Sequence, residues 1–103
     1  LQYWADPDDD LFWLQDPPTR SARFPRRADV MAAYAAATGF DLSDYPFYEA
    51  FSWWKQACIV EGAYARRLRG AGGGMTRTGP VSAIADRADR MFERAESLVR
   101  ELD

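Results

Sequence analysis

Histidine is absent from the 103 residues, and cysteine and lysine occur once each, as Cys58 and Lys55. Without histidine there is no Ser-His-Asp or Cys-His catalysis. A single cysteine cannot close an internal disulfide or supply the usual ligands of a zinc site. It fits a reducing compartment, which makes the cytoplasm the expected location. No apolar run approaches the ~18–20 residues that a membrane span requires. A basic field is missing too: 13 Lys and Arg against 16 Asp and Glu leave a net charge of −3 and a pI of about 4.9. That balance excludes nucleic acid as the expected partner. Strand-like alternation of apolar and polar residues is also lacking. The chain starts on Leu1, not Met, and its first residues do not resemble a signal peptide; the expectation is a piece cut from a longer protein.

What is present is helical. The length suits one small domain, residues 1–103. The stretch from Tyr45 to Arg69 holds two of the four tryptophans. As a helix it would be about 36 Å long. Phe47, Phe51, Trp54, Cys58, Ala65 and Leu68 recur at spacings of three, four or seven and so share a face. Tyr48, Val60 and Tyr64 lie on a second face, with Trp53 and Ile59 between. A helix apolar on most of its girth is expected to be central and buried, with Cys58 an inert small hydrophobe. Glu61 falls in register with Trp54, Cys58 and Leu68, where burial would demand a polar partner.

Two further helices flank it. Pro25, Asp29 and Gly39 bracket one at about 26–38, with Val30, Met31, Tyr34 and Ala37 as its buried stripe. The short connection that follows places Phe40 and Leu42 inward. The other helix covers about 80–101, with Val81, Ile84, Ala88, Met91, Ala95, Leu98 and Leu102 spaced by threes and fours. It is expected to pack on the central helix, which spans about 45–69, as an antiparallel hairpin partner. Asp86–Arg90 and Glu96–Arg100 are its i, i+4 pairs. The fold class is therefore all-α: three helices behind a long irregular N-terminal connector, which Phe24 and nearby aromatics pin.

Three stretches invite chemistry. Asp6, Asp8, Asp9 and Asp10 suggest calcium, but the glycine and distal glutamate of an EF-hand loop are absent, so a solvated acidic turn is the simpler reading. The glycines between 70 and 80 suggest a phosphate cradle, but no Gly-Lys-Ser/Thr ending follows, so an inter-helix loop is simpler. Glu61 with Trp53, Trp54 and Lys55 could form a wall for a cationic or planar ligand; the plainer account is core aromatics around one satisfied acid. Large residues outside the stripes, among them Trp4, Leu11, Phe12, Trp13, Leu14, Phe24 and Phe40, exceed what three short helices enclose. Part of that surface is expected to be covered by another domain or by a second copy.

YWADPDD at 3–9 and TGFDLSDYPFYEAFSWWKQACIVEGAYAR at 38–66, followed by a glycine-rich loop and a terminal helix, carry a resemblance. The chain resembles the C-terminal end of aminoglycoside phosphotransferase-like kinases, in the branch related to the phosphotransferase domain of certain acyl-CoA dehydrogenases. The resemblance implies the helical part of the large lobe of a two-lobed, protein-kinase-like fold. Such enzymes pass the γ-phosphoryl of ATP, with magnesium, to a hydroxyl of a small-molecule acceptor. Their catalytic Asp, in a His-x-Asp loop, and their metal-binding Asp would precede Leu1. No catalytic, ATP-binding or magnesium-binding residue is therefore assigned here. Tyr48, Trp54 and Glu61 are the expected acceptor-facing positions, and the missing kinase lobes the expected partner. The alternative is a stand-alone helical interaction or dimerisation module.

Overall fold

The computed structural model describes residues 1, 3–12, 16–70 and 81–102. Among them are a 3-10 turn, Pro18–Arg20, and three α-helices: α1 (Arg27–Thr38), α2 (Tyr45–Leu68) and α3 (Val81–Glu101). No strand occurs among the described residues, so the class is all-α. The chain divides into two compact units, Leu1–Tyr45 and Pro46–Asp103. The glycine-rich stretch at 71–80, together with Trp13 and Leu14, lies outside the described residues.

The first unit is held by polar contacts more than by a core. The Thr19 hydroxyl accepts the Ala5 N–H at 2.9 Å and donates to the Ala5 carbonyl at 3.0 Å. One side chain thus satisfies both backbone groups of a buried residue. The Trp4 indole N–H donates to the Pro25 carbonyl at 3.0 Å, and its ring meets Phe24 edge-on at 6.1 Å. Phe24 does pin the connector, as its place in the sequence suggests. Arg20 lies over the Phe12 ring, 4.8 Å from its centre.

α1 buries none of its residues. Val30 and Met31 are half-buried, but Tyr34 and Ala37 are exposed, so the expected stripe is only partly covered. Phe40 is exposed rather than inward and packs its ring 6.0 Å from that of Tyr34; Leu42 is half-buried. The helix ends where glycine allows it: Gly39 sits at φ 74° and its N–H bonds the Ala35 carbonyl. A Cβ at Gly39 would meet nothing within 4 Å, so the cost of Gly39→Ala comes from the left-handed backbone alone. We expect a loss of about 1 kcal/mol in chemical denaturation.

The second unit is a hairpin of α2 and α3. α3 buries Ile84, Ala88, Met91 and Ala95, the middle of the stripe read from its sequence, while Val81 and Leu98 are half-buried and Leu102 is exposed. Arg94 stands over the Trp53 ring at 5.8 Å. The expected Glu96–Arg100 bond is present.

α2 does not bury the face that its large residues define. It buries Ala50, Ser52, Trp53, Gln56, Ala57, Val60 and Ala63. Phe47, Phe51, Trp54 and Leu68 are 54%, 50%, 51% and 62% exposed, and Cys58 is exposed as well. The physical reason is size. Helices approach closely when small side chains lie at the contact, and alanines serve that purpose better than phenylalanines. Glu61 belongs to the exposed face and needs no buried partner.

Candidate functional site

An apolar groove lies on the hairpin. Phe47, Ala50, Phe51 and Trp54 from the first turns of α2 face Phe92, Ala95, Glu96 and Val99 from the last turns of α3 and Leu102 just past its end. The start of one helix lies beside the end of the other, so the two run antiparallel. Their volume of about 550 Å³ is within the range of small-molecule sites, which are mostly apolar with a few polar groups. Here the polar lining is Glu96, tied to Arg100 one turn on. Phe51 and Trp54 lie ring to ring at 6.0 Å, and Phe47 meets Tyr48 edge-on at 5.3 Å.

Of the three expected acceptor-facing residues, Trp54 lines this groove. Glu61 lies seven residues on, two turns along the same exposed face, beyond the lining. Tyr48 is exposed on a different side of α2, turned about a third of a circle from Trp54 by the 100° step of the helix. The structure therefore does not bring the three together. Phe92 and Val99 were missed by the sequence reading, although a signal existed. They sit one place after the core positions Met91 and Leu98 and so form a second, narrower apolar stripe on α3.

The acidic turn of the first unit is built differently. Oxygens of Asp6, Asp8 and Asp9 lie within 4.8 Å of one another, yet they are already engaged. Asp6 accepts the Arg27 backbone N–H at 2.8 Å, and Asp9 accepts the Asp6 N–H at 2.8 Å and the Arg27 guanidinium at 3.0 Å. Arg27 also donates to the Trp4 carbonyl at 2.7 Å, and Arg26 to Asp8 at 2.8 Å. The two arginines supply the positive charge that a cation would otherwise bring, so the turn is an ion-pair latch on the start of α1. Burial works against the charge of Arg27, but the Asp9 hydrogen bond and the neighbouring Asp9 and Asp6 charges outweigh it and raise its pKa.

The hydrogen bond from Arg26, then a backbone hydrogen bond at Asp8 itself, then the Arg26 charge, hold the Asp8 carboxyl below its ordinary range. A carboxyl depressed on folding adds stability above its unfolded pKa, and that share is lost as pH falls through the folded value. The window therefore lies in acid, below about pH 4. We expect the Asp8 side chain to titrate below an ordinary aspartate by NMR, and Arg26→Ala to raise it toward the ordinary range, the backbone hydrogen bond at Asp8 and the Arg27 charge still holding it down. An unchanged midpoint in the variant would mean the pair does not persist in solution.

No helix among the described residues is long and apolar enough to cross a membrane. Comparison with protein-family models, with curated proteins and with solved structures finds no match.

Proposed function

We propose that this chain is the helical end of an ATP-dependent small-molecule phosphotransferase of the cytoplasm, supplying a scaffold and an apolar wall rather than reacting groups. The observation that carries the reading is the aromatic groove of the hairpin, whose open side presents Phe47, Phe51 and Trp54. It joins the likeness of 3–9 and 38–66 to the C-terminal part of such kinases. Magnesium and ATP would be held by catalytic and metal-binding aspartates on the lobes of the parent enzyme. The acceptor role narrows to Trp54 among the three residues first singled out, because Tyr48 and Glu61 stand outside the groove. An apolar wall of this kind suits an acceptor with a planar or aliphatic body and a free hydroxyl.

The test is magnesium-dependent transfer from labelled ATP to a panel of hydroxyl compounds, run on the whole gene product and on the 103 residues alone. Transfer by the whole product and none by the 103 residues is the expected result. Turnover by the 103 residues alone, or a reading frame without a kinase catalytic loop, would overturn it. The second reading, a stand-alone helical dimerisation module, is favoured by the exposed apolar face of α2, and a start codon upstream of Leu1 in place of a kinase catalytic loop would select it.

A further inference from the structure

The exposed face of α2 has more order than chance exposure would give it. Phe47, Phe51, Trp54, Cys58, Glu61, Ala65 and Leu68 follow one another at intervals of four, three, four, three, four and three. That is an unbroken heptad seam of the kind that pairs helices. α3 covers the other side of α2, through Ala50, Trp53, Ala57 and Val60, so α2 carries two seams and only one has a partner. The groove shares Phe47, Phe51 and Trp54 with that seam, and Cys58, Glu61, Ala65 and Leu68 lie beyond its lining.

We propose that the free seam of α2 pairs with the same seam of a second copy, antiparallel about a two-fold axis. The composition of the seam selects that orientation. In a parallel pair Glu61 would face Glu61, a like-charge contact within the seam. In an antiparallel pair centred between Ile59 and Val60, Phe51 meets Leu68, Trp54 meets the small Ala65, and Cys58 meets Glu61. Lys55 then reaches Glu61 across the seam and Tyr48 lies beside Arg69. Neither Lys55 nor Glu61 has a hydrogen-bond or ion-pair partner among the described residues, so each is available. Gly62, opposite Lys55, gives room for close approach.

The area is of the right order. Phe47, Tyr48, Phe51, Trp54 and Leu68 are each at least half exposed. With about 150–250 Å² per aromatic side chain, the five leave roughly 500 Å² of apolar surface. Lys55, Cys58, Glu61, Ala65 and Arg69 extend the seam toward the ~800 Å² per partner of a standard stable interface. The pairing uses Phe47, Phe51 and Trp54, which also line the groove, yet its test is separate: an active kinase with a monomeric helical end would sink the dimer alone.

Sedimentation of the 103-residue chain over a concentration series tests it, with circular dichroism as the check on folding. A dimer at about 50 µM is expected, and Trp54→Arg, at an exposed position, should weaken it more than tenfold with helicity kept. Lys55→Glu alone should weaken it about tenfold, and Glu61→Lys added to it should restore the dimer, a rescue that only opposed copies permit. A monomer at all concentrations, association unmoved by Trp54→Arg, or no rescue in the double variant would each overturn the proposal.

Discussion

Met91→Ala is expected to cost about 2–5 kcal/mol, the range for a fully buried methionine cut back to its Cβ. Met91 is 0% exposed and is, among the described residues, the largest side chain buried so completely. Its own helix face also buries Ala88 and Ala95, and α2 brings Ala50, Ala57 and Ala63 to its buried side. Alanines have no rotamers with which to lean into a vacated space, so the cavity should stay open. At several degrees per kcal/mol for a domain of this size, the melting temperature should fall by about 10 °C or more. Met91→Leu keeps the volume and should cost under about 1.5 kcal/mol. Thermal melts of both variants check the pair. A drop for alanine no larger than that for leucine would mean the hairpin collapses around the gap.

Asp6→Ala should have the next largest effect, about 2–3 kcal/mol, because a charged hydrogen-bond acceptor is removed from a buried position. α1 has no cap of its own: Arg26 precedes it in extended conformation, with no side-chain bond to the first turn. Asp6, 21 residues earlier, does that work by accepting the Arg27 N–H. Its other oxygen lies 3.8 and 3.9 Å from the two guanidinium groups. α1 contributes no buried residue, so apolar packing would not hold it once the latch is cut. Hydrogen exchange should rise across Arg27–Thr38 while α3 stays protected. Asp6→Asn keeps an acceptor oxygen without the charge and should fall between alanine and the native protein. Equal protection of α1 in all three proteins would show that the helix does not depend on Asp6.

The helices were legible because their signals are local. Gly39 stops α1, Pro46 is tolerated in the first turn of α2, and threes and fours mark α3. The orientation of α2 was not legible from spacing alone. Two apolar faces compete there, and the larger side chains form the more conspicuous one. Contact with α3 is decided by which face lets two backbones approach, so Ala50, Ala57 and Ala63 prevail over Phe47, Phe51 and Trp54. The same size-blind count drew Glu61 and Cys58 inward with the aromatics. Tyr34 and Phe40 were placed inside for a similar reason, although they mainly pack on each other. The acidic turn was recognised as a turn and not as a latch, since its partners Arg26 and Arg27 come 18 or more residues later. The groove was half legible: Trp54 was singled out, while Phe92 and Val99 were hidden beside a stronger stripe.

Five of the nine apolar residues that the hairpin buries are alanines. Unfolding it would therefore bring little hydrocarbon into water for each residue released. The heat-capacity increment on melting scales with that hydrocarbon, so the hairpin's increment should lie at the low end for its length. Its free energy should then change only gently with temperature, in a broad and shallow arc, leaving cold as mild a threat to the hairpin as moderate warmth.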